Sequence, residues 1–269
     1  MVRTDIHHVD EARMRRSIGI AFGVWTHILF GFTVWHLIWF LRGHAPSSSD
    51  AVPIDSETYF LASLAIDGIL ALIFALPHSV LLAPGVRKAV THALVPGPFY
   101  GCFFCTMTCL ALLFTIFSWQ KSDVIVWEWV SPLDTCITVL FVASWAALLY
   151  SLHLSGLGYQ TGWTPWWRWV RKLPPANRQF APRGAYLFLR HPVYLSFLGL
   201  IWFTPIVTLD RLVLIVVWSS YIFLGSVLKD RRLLFFLGDR YRSYQARVPG
   251  YPGMPIGPLA RVPLATGDE

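Results

Sequence analysis

The chain has 269 residues, 55% of them hydrophobic and only 14% charged, with 13 tryptophans, a mean hydropathy of +0.52 and a net charge of +7. That composition excludes an ordinary water-soluble domain, in which roughly a quarter of residues carry charge. Four cysteines with no second paired motif point to reduced thiols and no zinc site, and the basic residues flank apolar runs rather than form a nucleic-acid module.

Five or six apolar runs approach the length that crosses a hydrocarbon core of roughly 30 Å. The expectation is an all-α, polytopic integral membrane protein of one domain, residues 1–269. The polar start Met1–Arg16 and the length of Ile18–Leu41 argue against a cleavable signal peptide. Ile18–Leu41 is the first span and carries His27 and His36, which read as packing or interhelical groups. Thr58–Ala83 is the second, with Asp67 inside it as partner to a histidine or as a pocket group, and Pro77-His78-Ser79 opening its end. Phe99–Trp119 is the third, with Cys102, Cys105 and Cys109 on one face as packing residues, and Leu133–Leu154 the fourth, closing on His153. These four make a substrate-side half, residues 1–158.

Ser155–Leu189 follows as a long loop rich in Trp, Gly and Arg. It reads as an interfacial segment at headgroup depth, or as a lid that folds over a pocket and excludes water. Val193–Leu209 and Leu212–Leu228 then form a hairpin of two spans of about 17 residues each, the first kinked by Pro205 and the turn made by Leu209-Asp210-Arg211. The tail Val248–Pro263, rich in Pro and Gly, reads as irregular.

With the N-terminus inside, nineteen of the 22 Lys and Arg fall on one side and only Arg42, Lys121 and Arg211 on the other. The positive-inside rule therefore puts both termini in the cytoplasm, and the same charge draws the protein to anionic lipid. The hairpin brings two polar clusters to that face: Tyr186, Arg190, His191 and Tyr194 before it, Asp230, Arg231, Arg232, Tyr241 and Tyr244 after it. Pro192 suits the first turn of a helix, so His191 stands at a helix start whose free N–H groups favour an anion. Asp230 offers the complementary acid. A pocket with both suits a zwitterionic amino acid joined to a nucleoside, with His191 and Asp230 on opposite walls of one cavity.

The pattern G-x-Y-x-x-x-R-H-P-x-Y, a hairpin, an acid, and L-x-x-x-x-G-x-x-Y-x-x-Y-x-x-x-V-P puts Gly184, Tyr186, Arg190, His191, Pro192, Tyr194, Leu233, Gly238, Tyr241, Tyr244, Val248 and Pro249 in register. In these residues the chain resembles the isoprenylcysteine carboxyl methyltransferase superfamily of integral membrane methyltransferases. L-P-H-S-V-L at Leu76–Leu81, Trp127-x-Trp129 and the G-x-x-x-G-W-x-x-W closing on Trp166 look like its bacterial methanethiol S-methyltransferase branch, related to the NnrU proteins. The resemblance implies S-adenosylmethionine as methyl donor, a small thiol as acceptor, dimethyl sulfide as product, and a bacterial inner-membrane location. It places the donor at residues 183–249, on Arg190, His191, Tyr194 and Asp230, beside the loop 159–192, and Tyr186 and Tyr241 of the same clusters are further candidates to bind it. Where the superfamily has a Glu-Glu pair, this chain has Lys229-Asp230, and Ser196 replaces a Gly.

Methyl transfer from a sulfonium needs positioning and desolvation, but the thiol must lose a proton. His78, His153 and Asp230 are the candidate bases, His78 first. Two other readings keep their place: a prenylcysteine carboxylate or phospholipid amine as acceptor, and a non-enzymatic, NnrU-like membrane accessory protein. A metal site is not expected, since the histidines lack the clustered spacing of di-iron or haem centres.

Overall fold

The computed structural model of the protein describes residues 2–44, 57–176 and 179–263. It is an all-α, polytopic membrane fold. Five of its helices contain stretches long and apolar enough to cross a membrane: Met14–Leu41, Leu61–Leu82, Gly97–Ser118, Leu133–Ser155 and Leu209–Leu237. They belong to α1 (Val2–Leu41), α2 (Glu57–Leu82), α4 (Tyr100–Ser118), α5 (Leu133–Ser155) and α9 (Leu209–Leu237), with Gly97–Phe99 a 3-10 turn before α4. Between α2 and α4 lies the short α3 (Pro84–Ala93), which carries Arg87 and Lys88 and buries no side chain. That is the expected state of a helix at the headgroup level.

The packing order is not the chain order. α1 lies on α4, α4 on α2, α2 on α9, α9 on the short α8 (Pro192–Trp202), and α8 on α5. Two successive pairs of spans, α1 with α2 and α4 with α5, are not packed together, because each helix buries the stripe that its partner's side chains fit rather than the one nearest in sequence. The main core joins Phe40 and Leu41 of α1, Leu70 and Ala71 of α2, Ile116 and Trp119, Leu200 of α8, and Leu214, Ile215, Trp218 and Ile222 of α9. It is concentrated toward the end where α1 finishes and α9 begins.

At that end the hairpin departs from expectation. The fifth element is helical only from Pro192 to Trp202, and Pro205 stands outside it rather than kinking it. After Trp202 the chain is extended, and β2 (Ile206–Thr208) pairs antiparallel with β1 (Ile125–Glu128), which contains Trp127. Pro205 has no N–H to continue a helix, but its carbonyl accepts the N–H of Trp129. Leu209-Asp210-Arg211 is no turn: it is the first turn of α9, which runs 29 residues instead of the expected 17 from Leu212 to Leu228. Buried polar contacts hold this start. Asp210 accepts hydrogen bonds from the Trp119 indole at 2.9 Å and the Ser122 N–H at 3.2 Å. Arg211 donates to the carbonyls of Phe40 and Leu41 at the end of α1, where the Phe40 carbonyl also accepts the Gly43 N–H. Asp67, also buried, partners neither a histidine nor a pocket: it accepts the Gln120 N–H at 2.9 Å.

At the basic end the loop after α5 folds into α6 (Leu157–Gln160) and α7 (Trp163–Val170). α7 packs on α1 and α4. Trp166 is buried, its indole donating to the Gly19 carbonyl at 3.0 Å. Only glycine serves at two places here. A Cβ on Gly23 would lie 2.0 Å from Trp166, and Gly162 has φ +82° with the Cys102 nitrogen 2.2 Å from where its Cβ would stand. Thus Trp166 is packed into the helices while Trp163 and Trp167 stay exposed, and the part of the loop that reaches the motif residues is Phe180–Leu187.

Candidate functional site

Two structures of different character meet at the basic end. The first is a sealed polar cluster. His191 precedes α8, whose first residue is Pro192, and Asp230 lies in the penultimate pair of turns of α9. Their side chains do not face each other across a cavity, as the sequence suggests: His191 Nε2 is 3.1 Å from Asp230 Oδ1, and Arg190 is 3.1 Å from Asp230 Oδ2. Arg190, His191 and Asp230 are all at most 4% exposed. The Tyr241 hydroxyl, from α10 (Asp239–Arg247), donates to Asp230 as well. Two helix ends thus converge on one carboxylate, because a buried cation needs a counter-charge and hydrogen-bond acceptors at once.

Arg190 carries the network outward. It donates to the Gln245 carbonyl at 3.2 Å and the Pro258 carbonyl at 2.8 Å, and its own N–H goes to Pro249. The irregular tail is therefore packed down, with Tyr251, Leu259 and Ala260 buried. Tyr251 bonds Ser226 at 2.6 Å and lies beside His191, whose ring is stacked near Tyr194 at 5.6 Å between centroids. Burial holds the His191 imidazole below its ordinary value even though the Asp230 carboxylate pulls the other way. Burial likewise pushes the Tyr241 and Tyr244 phenols up. His191 Nδ1 has no hydrogen-bond partner, and its Nε2 contact with Asp230 is off the line of a directed bond.

The second structure is a half-open cleft. Along α9 the buried Trp218 and Ile222 mark the face that looks into the bundle. Residues three and four apart share a helix face, so Tyr221, Gly225, Lys229 and Arg232 continue it. All four are only half-buried. A Cβ placed on Gly225 would meet nothing within 4 Å. Apolar packing on this stripe therefore stops after Ile222, although Ser226 and Asp230 beside it stay buried, and the stripe borders open space at Gly225. Lys229 reaches toward α8, its ammonium 5.1 Å from the Tyr194 ring centroid and 5.9 Å from that of Tyr186. Arg232 reaches the other way, to the Leu82 carbonyl at the end of α2 at 3.5 Å. One turn before Leu82 stands His78, 3.5 Å from Thr108 and flanked by Phe74, Phe104 and Tyr221, while Ser79 donates to the Tyr221 hydroxyl at 3.1 Å.

The motif residues thus separate. Arg190, His191, Asp230 and Tyr241 join in the sealed cluster, and Tyr186 and Tyr194 line the cleft. The two sets are tied by Tyr244, which donates to the Tyr186 carbonyl at 2.5 Å, and by Phe180 against Tyr241 and Tyr244. His78 stands at the α2 side of the cleft. His153 is exposed near the end of α5. Tyr221 and Gly225 are cleft residues that the sequence reading left out, and Lys229 and Arg232, which it named at this end, had no cleft role assigned; the spacing of three and four continued from Trp218 was the available signal. Among the described residues no group of His, Cys, Asp or Glu is arranged to hold a metal ion.

No family model and no solved structure matches the chain. Among known proteins, it is 28% identical to methanethiol S-methyltransferase 1 of Bradyrhizobium diazoefficiens over 250 residues, covering 89% of this chain and 84% of that one. It is 30% identical to methanethiol S-methyltransferase of Pseudomonas deceptionensis over 202 residues, 75% of each chain. Nurim of Rattus norvegicus is 27% identical over 194 residues, 69% of this chain and 72% of nurim. With the motif residues gathered at one end of a polytopic helical bundle and a relative at that identity matched over three quarters of its length, the chain belongs to the methanethiol S-methyltransferase family.

Proposed function

We propose that the protein methylates methanethiol to dimethyl sulfide with S-adenosylmethionine, in a bacterial inner membrane with both termini and the cleft facing the cytoplasm. The observation that carries the reading is the interruption of the core at the inward end of α9, beside the motif residues. Open space next to Gly225 and two half-buried tyrosines fit a polar ligand of this kind. When bound, the donor supplies a methyl group on a positively charged sulfur, and its leaving sulfur needs no proton.

The residues of the chain then have distinct tasks. Tyr186 and Tyr194 touch the donor, and His191, stacked behind Tyr194, backs that ring. Arg190, Asp230 and Tyr241 act as positioning residues: their mutual contacts fix the start of α8 and the turn Gly184–Leu187, where those two tyrosines stand. His78 receives the thiol proton. The aromatic groups around it and the helices on either side exclude water, which favours attack by an unsolvated sulfur. Asp230 is left out of the base role because three partners already engage its carboxylate.

The decisive experiment is headspace gas chromatography after purified protein in detergent receives methanethiol and S-adenosylmethionine. Dimethyl sulfide formed in proportion to enzyme is the expected result; its absence while the donor is still bound refutes the acceptor. His78→Ala should lower turnover at least about tenfold with donor affinity retained.

A further inference from the structure

Lys229 and Arg232 have no carboxylate within ion-pair distance among the described residues; the ion pairs there are Arg190 and His191 with Asp230. Yet both cations sit on the inward face of a membrane-spanning helix rather than on its lipid-facing side. Asp230 acts on Lys229 through space, but its carboxylate is engaged by Arg190, His191 and Tyr241, and a cation held at such a position without a counter-ion of its own is costly. Its usual meaning in a membrane protein is a substrate or ion path, with the partner supplied from elsewhere. The tyrosine faces under Lys229 offset part of that cost, since a ring quadrupole attracts an ammonium, but they supply no negative charge. The Leu82 carbonyl engages only one donor of the Arg232 guanidinium, which has five.

Geometry says what lies between them. Lys229 leans to α8 and Arg232 to α2, and Gly225 leaves the floor one turn away empty. Arg232 is also within electrostatic reach of His78, Tyr194 and Tyr221. The two charges therefore flank a gap that opens onto the proposed base on one side and onto the proposed donor tyrosines on the other.

We propose that Lys229 and Arg232 form an anion subsite that binds the methyl acceptor as a small thiolate. This rests on the methyltransferase reading and adds the ionic form in which the acceptor is held. The thiol gives its proton to His78, and the sulfur stays behind as an anion between two cations. Its lone pair then forms the new bond to the methyl carbon. The donor's carbon–sulfur bond breaks, and that electron pair remains on the departing sulfur, which becomes a neutral thioether. A low-dielectric site strengthens this pairing, so the nucleophile is concentrated where an uncharged pocket would hold only the thiol. Lys229 stands at one of the two positions where the resembled superfamily has an acid. This chain would thus hold the acceptor by charge at a point where an acid would repel it.

The test uses thiocyanate, a compact anion with a terminal sulfur, titrated calorimetrically into the full chain in detergent. Wild type should bind it saturably and release it to methanethiol. Lys229→Gln and Arg232→Gln should each bind it at least about tenfold more weakly and raise the KM for methanethiol, while Lys229→Arg keeps most of the affinity. Donor affinity should stay within about twofold in all three. Equal thiocyanate binding in wild type and both Gln variants overturns the proposal, and so does a loss of donor affinity with thiocyanate binding intact, which would hand the cations to the donor's carboxylate. If Lys229→Gln does not fold, Arg232→Gln carries the comparison by itself. Wild-type protein that binds thiocyanate through Lys229 but makes no dimethyl sulfide keeps the subsite and refutes the enzymatic reading.

Discussion

Asp230→Asn is the substitution whose consequence follows most directly from the structure. Asn keeps the shape of the side chain but removes its charge. Arg190 is then left as a buried cation with only the Gln245 and Pro258 carbonyls, 3.2 and 2.8 Å away, to compensate it. His191 loses the carboxylate 3.1 Å from its Nε2, and Tyr241 loses a charged acceptor. Breaking one side of a buried ion pair costs about 3–5 kcal/mol. A hydrogen bond from Tyr241 to a neutral amide in place of a carboxylate adds roughly 1 kcal/mol, the difference between charged and neutral acceptors. Since α10 and the tail hang on this network, the loss is expected to appear as release of residues 239–263 as well as a lower midpoint. The assay is denaturant unfolding in detergent micelles, paired with hydrogen exchange of that segment. Arg190→Met should cost a similar amount. Arg190→Met combined with Asp230→Asn should cost clearly less than the sum of the two, because no lone charge remains buried. Additive effects, or a midpoint of Asp230→Asn equal to wild type, would refute a structural role for the carboxylate and return it to the donor's side of the site.

Other expectations bear on different parts of the fold. Gly23→Leu should destabilise by about 1–3 kcal/mol or more through overpacking, and detach α7 from α1, read as increased exposure of Trp166 by fluorescence quenching. Arg211→Ala should cost about 1.5–3 kcal/mol by leaving the Phe40 and Leu41 carbonyls without their charged donor, measured by unfolding in micelles. His191 lies just before α8, and burial keeps its imidazole below the ordinary 6.5. Below that value the unfolded chain binds a proton that the folded chain refuses, so stability is full above it and declines on acidification. A thermal midpoint that falls between about pH 7 and about pH 5.5 in wild type, with a smaller fall in His191→Gln, is the expected result.

Much of the architecture was legible in the chain. The apolar runs gave four of the five long spans to within a few residues, since span length is set by bilayer thickness, while the last runs nine residues past the expected Leu228. Arg190, His191, Asp230 and Tyr241 could be placed together because a return passage through the bundle brings them to the same end. Other parts were not legible. Val193–Leu209 has the composition of a span, but only 11 residues of its apolar run stay helical. The remainder finds a strand partner in β1, about eighty positions earlier, and no local signal announces such a pairing. Asp210 and Arg211 looked like turn residues because their partners, Trp119 and the end of α1, are distant in sequence.

Lys229 and Asp230 make the division plain. The sequence by itself determined that this is a helical membrane protein, which end carries the cations, and that an acid stands one residue after a lysine near the close of the last long helix. Only the packing of α9 between α2 and α8 decided what each of the two can do. Adjacent residues of a helix point about 100° apart. One therefore locks the carboxylate against Arg190 and His191, and the other turns its charge toward the open cleft.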